Sequence, residues 1–163
     1  MRDNWWIDGK RVKGMSRVLL IGFGNPGRMD DGLGPMLAQA LEEAGIEGLD
    51  VDSDYQLTVE DAEVVSRHEV VVFADASANG VEPFEFKPIK AGGAPGFSSH
   101  SVEPDEVLML AKTLFGKEPR AYLLGIRGYE FNEFGEGLSA KAAGNLKEAV
   151  EFVKEEAVRL ICS

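Results

Sequence analysis

The stretch Arg17-Val18-Leu19-Leu20-Ile21-Gly22-Phe23-Gly24-Asn25-Pro26-Gly27-Arg28-Met29-Asp30-Asp31-Gly32 runs from an apolar segment of strand length through a glycine-rich turn, and a helical pattern follows it. Residues 17–22 read as a strand. Leu33, Met36, Leu37, Ala40, Leu41 and Ala44 then recur at the spacing of one helix face, which predicts a helix over 33–44 with Pro35 in its first turn and Gly45 as its stop. A turn of this kind ordinarily attracts phosphate, because free backbone N–H groups and the positive end of the helix dipole point at the ligand. Asp30 and Asp31 place carboxylates there instead, and carboxylates invite a cation.

The same alternation continues along the chain. A second strand is expected over 49–53, and Thr58 with Asp61 reads as an N-cap pair opening a helix to about residue 66. Residues 69–75 contain the unbroken apolar run Val70-Val71-Val72-Phe73-Ala74, the mark of a central strand buried on both faces, with Asp75 at its carboxyl end. Phe84 and Phe86 alternate with Glu85 and Lys87 between Pro83 and Pro88, as in a short edge strand; residues 90–96 read as loop. Pro104 fits the first turn of a helix carrying Val107, Leu110, Ala111 and Leu114 and stopped by Gly116. Residues 122–126 form the next strand, and after a loop over 128–137 Ser139 caps a long terminal helix with Leu146, Ala149, Val150, Val153, Ala157 and Leu160 on one face. Strands alternating with helices in this way predict an α/β fold with a mostly parallel sheet covered on both faces.

With 163 residues, 44% of them hydrophobic, the chain holds one well-buried core, read as a single domain over 17–163. Residues 1–16 are expected to be an unstructured extension, with Met15 as an alternative start; they lack the apolar segment of a secretory signal. The 28 acidic against 17 basic residues give a formal charge of −11, which opposes a polyanionic partner such as tRNA or DNA. Cys162 is the only cysteine, so there is no disulfide framework and no thiolate cluster, and no apolar run approaches the length of a membrane span. A soluble protein of the reducing cytosol is expected.

In an open α/β sheet, ligands bind beyond the carboxyl ends of the strands where the winding reverses. If the first and third strands are neighbours, Asp31 and Asp75 face one crevice, and His100, in Phe97-Ser98-Ser99-His100-Ser101, is the remaining candidate ligand for a borderline divalent metal. Each has a plainer reading: Asp75 as a turn cap, His100 as an exposed loop residue. Asp30 is expected to be a helix cap, and His68 to be structural or solvent-facing at the opposite end of the sheet. Gly22-Phe23-Gly24-Asn25-Pro26-Gly27 also satisfies the dinucleotide pattern, with Asp50 or Asp52 near the place of a ribose-binding acid, so a nucleotide-binding enzyme is a competing reading. Pro26 removes one N–H from that loop, and two carboxylates would meet the pyrophosphate. No Gly-x-Ser-x-Gly elbow and no His-Glu-x-x-His zinc helix is present.

Three matches coincide: Gly22-x-Gly24-Asn25 through Asp30-Asp31-Gly32-x-Gly34, then Ala74-Asp75-Ala76, then Ser98-Ser99-His100. Together, over about 17–160, they resemble the nickel-iron hydrogenase maturation endopeptidases, which remove a C-terminal extension from the hydrogenase large subunit after nickel insertion; Gly137-Leu138-Ser139 is similar as well. Peptidyl-tRNA hydrolases share the first motif, but they continue into a segment with a catalytic histidine where this chain has Arg28-Met29-Asp30-Asp31. The maturation-protease resemblance implies a three-layer α/β/α sandwich with a five-stranded sheet, and Asp31, Asp75 and His100 as the metal-binding trio. It implies a peptidase acting on a large-subunit precursor, expected to be cytoplasmic and monomeric; the attacking water is either polarised by the metal with Asp31 or Asp75 as base, or activated separately with nickel in a purely positional role. Two hard oxygen donors and one imidazole are poorly suited to hold nickel tightly, so nickel is expected to arrive with the substrate, and no organic cofactor is expected. A non-catalytic nickel-site chaperone is the other alternative.

Overall fold

The computed structural model describes residues 6–7, 10–11, 16–92 and 102–163. Two short strands, β1 (Trp6–Ile7) and β2 (Lys10–Arg11), pair antiparallel within the segment expected to be an extension. The domain proper is built from β3 (Val18–Phe23), α1 (Leu33–Ala44), β4 (Leu49–Asp54), α2 (Asp61–Ser66), β5 (Val70–Ser77), β6 (Phe84–Ile89), α3 (Pro104–Phe115), β7 (Arg120–Arg127) and α4 (Ala140–Cys162). Its sheet has five strands in the order β4-β3-β5-β7-β6. All neighbours are parallel except β6, which returns antiparallel along β7 as an edge strand.

The strand pattern of alternate residues divides the core in two. Val18, Leu20, Val70, Val72, Leu124 and Ile126 face Leu33, Leu37 and Leu41 of α1 and Ala149 and Val153 of α4. Leu19, Ile21, Val71, Phe73 and Ala121 face Ala62 and Val65 of α2 and Val107, Leu108 and Ala111 of α3. Burying such side chains on both faces, at roughly 1.5–3 kcal/mol each, holds the three layers together. Phe73 is fully buried, as the unbroken apolar run of β5 required.

Sequence and structure agree closely over the elements, with α1 spanning the expected 33–44 and Gly45 and Gly116 closing α1 and α3 in left-handed conformations. The start of α2 differs. Thr58 does not cap it; the carboxylate of Asp61 instead accepts the Thr58 N–H at 2.8 Å. The loop assigned to 90–96 is observed over residues 90–92, and the rest lies outside the described residues.

Candidate active site

Because β3 lies between β4 and β5, the winding reverses at β3 and β5, and the crevice sits at their carboxyl ends. The glycines of the first motif make that crevice. A Cβ at Gly22 would lie 2.1 Å from the Gly34 carbonyl oxygen, and one at Gly34 would lie 2.4 Å from that of Phe23 and 2.6 Å from that of Ala74. The start of α1 is therefore pressed backbone to backbone onto both strands. Gly24 turns the chain at φ 143° while donating its N–H to Asp54 at 3.1 Å. A single 3-10 turn, Met29–Gly32, then carries Asp30 and Asp31 into α1.

Asp31 is half-buried at the mouth of the crevice, and its Oδ2 accepts the Asn25 N–H at 2.9 Å. The chain's own carboxylate thus occupies a loop donor that a bound phosphate would need. Asp75 stands at the end of β5, with its Oδ1 accepting the Ala76 N–H at 2.8 Å. Burial pushes the Asp75 carboxyl up to about 7 against that hydrogen bond, and the charges of Asp31 and Glu103 push it the same way. Asp31 and Asp75 therefore share one electrostatic site, as the strand order demands. His100 lies outside the described residues. Among the described residues, no three His, Cys, Asp or Glu side chains converge as metal ligands.

Sequence reasoning did not single out Glu103. It heads α3 in a reciprocal capping box with Glu106, and it brings a third carboxylate charge to bear on Asp75. The signal was available in the Glu103-Pro104-x-Glu106 spacing.

Asp30 departs from expectation. It is fully buried, and it caps neither the 3-10 turn nor α1. Its Oδ2 accepts the N–H groups of Tyr129 and Glu130 at 2.8 and 3.0 Å and the Ser139 hydroxyl at 2.7 Å, while Oδ1 accepts the Ser139 N–H at 2.8 Å. Burial alone would raise its pKa, but these donors outweigh it and hold the carboxyl below its ordinary value. Asp30 ties the loop between β7 and α4 to the site turn. Ser139 caps α4 as expected, its hydroxyl accepting the Ala142 N–H at 3.4 Å.

The ribose-binding role considered for Asp50 does not survive. Asp50 is buried in the first half of β4, and its Oδ2 meets His68 Nε2 at 2.8 Å, away from the carboxyl ends of the strands. His68 is buried and structural rather than solvent-facing; its Nδ1 lies 2.8 Å from the Val64 carbonyl.

No protein-family model matches the chain, and no curated protein does. Solved structures do. The nickel-iron hydrogenase maturation protease HycI from Thermococcus kodakarensis KOD1 is 22% identical with a TM-score of 0.65, over 86% of this chain and 91% of that one. A hydrogenase 2 maturation peptidase from a Thaumarchaeota archaeon is 21% identical with a TM-score of 0.62, over 87% and 98%. The hydrogenase maturating endopeptidase HybD from E. coli is 20% identical with a TM-score of 0.64, over 84% and 89%. With Asp31 and Asp75 at the winding reversal of an α/β/α sandwich, the chain has the fold of the hydrogenase maturation proteases.

Proposed function

We propose that this protein is an endopeptidase that removes the C-terminal extension of a nickel-iron hydrogenase large-subunit precursor once nickel has been inserted. The observation that carries the reading is the pairing of Asp31 and Asp75 in one crevice, within the fold of proteins described as maturation proteases. Two carboxylates in a sheet-end crevice are hard donors, too few to retain nickel by themselves. They suit a metal that the substrate already holds. Asp31, Asp75 and His100 would complete the coordination of that nickel, so that only a loaded precursor presents its cleavage site. Glu103, whose charge reaches Asp75, stands three residues after His100 in the sequence, which favours the trio.

In this reading the ordered crevice supplies most of the catalysis by fixing the scissile bond next to its base. Either Asp31 or Asp75 takes a proton from the attacking water. Asp31 is held in orientation by the Asn25 N–H. The cytoplasm is the proposed compartment and a monomer the proposed state; no helix among the described residues is long and apolar enough to cross a membrane.

Incubating the protein with nickel-loaded and nickel-free precursor side by side, with the precursor mass followed in time, tests the reading. The loaded precursor should lose its C-terminal segment and the nickel-free one should not. Precursor that binds without shortening would make the protein a chaperone instead.

A further inference from the structure

The loop between β7 and α4 is fastened to the turn that carries Asp31. The Met29 N–H donates to the Gly135 carbonyl at 3.0 Å, and the Gly135 N–H donates to the Gly27 carbonyl at 2.8 Å. Asp30 takes part twice: its N–H donates to the Glu130 carbonyl at 2.9 Å, and its carboxylate collects the Tyr129, Glu130 and Ser139 donors. Met29 stands at φ 53°, the one non-glycine residue among those described in a left-handed conformation. Such a backbone persists only where its surroundings fix it, and it gathers at functional surfaces.

Three aromatic side chains sit on this loop, and only one points away from it. Phe131 folds over Gly128, where a Cβ would lie 2.8 Å from its ring, and the Tyr129 hydroxyl accepts from Asn145 Nδ2 at 3.0 Å. Phe134 is 85% exposed, more than any other large hydrophobic side chain described. The Arg28 guanidinium lies 5.5 Å from its ring centroid, which narrows the rotamers of both. A lone exposed apolar residue is ordinary. An aromatic ring held out on a pinned loop is different, because it has little freedom left to lose on binding, as an interface anchor requires. The exposed Glu130, Glu133 and Glu136 of the same loop surround it with negative charge.

We infer that Phe134 anchors the precursor on the protease by entering an apolar pocket of the precursor's surface that has a basic rim. The inference rests on the protease reading above. The basic rim follows from the three glutamates, which a complementary surface must meet with cations. A second copy of this chain is the wrong occupant: each carries a formal charge of −11, and a symmetric contact would set the same glutamates against each other. Because the loop is tied to residues 27, 29 and 30, a precursor seated on Phe134 is referred through main chain to the adjoining Asp31.

The test measures the Kd of the full chain for nickel-free precursor, which binds without being cut, and the kinetics of cleavage of nickel-loaded precursor. Phe134→Ala should raise Kd about ten-fold, and Phe134→Trp should stay within about three-fold of wild type. The side chain is exposed, so neither change should move the melting temperature. In cleavage, Phe134→Ala should raise KM about ten-fold with kcat within about two-fold. Glu133→Gln with Glu136→Gln should flatten the salt dependence of Kd. Leu114→Ala, another exposed apolar side chain but at the end of α3, is the control and should change nothing. The assignment is overturned by wild type that does not bind nickel-free precursor, by an unchanged Kd in Phe134→Ala, by an equal loss in Leu114→Ala, or by a wild-type dimer that Phe134→Ala dissociates. Wild type that binds through Phe134 but never shortens loaded precursor would remove the protease reading and leave the docking surface standing.

Discussion

Asp30 and Ser139 lie 109 positions apart and are joined by two hydrogen bonds, from the Ser139 N–H to Oδ1 at 2.8 Å and from the Ser139 hydroxyl to Oδ2 at 2.7 Å. The same carboxylate takes the N–H groups of Tyr129 and Glu130, so one buried charge organises the loop beside the site.

Asp30→Asn places an amide NH₂ where the pocket offers donors, and it should destabilise the fold by about 2–4 kcal/mol in urea unfolding. Ser139→Ala, which also removes the α4 cap, should cost about 1–2 kcal/mol. The Asp30 pKa is lowered on folding, so its contribution is present above the ordinary value of 3.8 and is lost as pH falls through the lowered one. Wild-type stability should therefore fall more steeply in acid than that of Asp30→Asn.

Asp75 has the opposite sign. Its folded carboxyl titrates at about 7 rather than 3.8, so between those values the folded state holds more protons than the unfolded chain and stability declines as pH rises. Asp75→Asn should be more stable than wild type at pH 8, by on the order of 1–2 kcal/mol after solvent screening of a partly exposed group, with the difference gone below about pH 4. Thermal melts across pH check this. Cleavage of the nickel-loaded precursor should be absent in Asp75→Asn.

His68 presents both ring nitrogens to acceptors, the Val64 carbonyl and the Asp50 carboxylate, each at 2.8 Å. The two contacts fix the ring between β4 and α2. His68→Phe should destabilise by roughly 1–3 kcal/mol, because it leaves buried groups without their hydrogen-bond partner. Activity per folded molecule should be unchanged, since the pair lies away from the crevice.

Gly34→Ala tests how the crevice is built. Its Cβ would sit 2.4 Å from one strand carbonyl and 2.6 Å from another, and neither backbone can yield. The variant should lose about 3 kcal/mol or more and should lose activity even when refolded in stabilising osmolyte. Gly144→Ala, at a helix position with open space around it, is the control and should be neutral or slightly stabilising.

Periodicity made the elements legible: 3.6-residue spacing for α1, an uninterrupted apolar run for β5, and alternation between prolines for β6. The pairing of Asp31 with Asp75 followed from one topological rule applied to those elements. What stayed hidden was long-range. Nothing local in Asp30 shows that its carboxylate binds a loop a hundred residues on, so helix-cap chemistry was the natural reading and was wrong. Asp50 sat at the right sequence distance for a ribose ligand, but distance along the chain does not tell which end of β4 a residue occupies. Glu103 was overshadowed by Pro104, although its spacing to Glu106 was informative.

The contact of Gly22 and Gly34 with the opposing backbone has one more consequence. No side chain lies between α1 and the strands there, so the gap separating the two acidic residues is set by main-chain geometry and not by the volumes of neighbouring hydrophobic groups. Substitutions accumulating elsewhere in the interior can reshuffle those volumes without retuning the crevice.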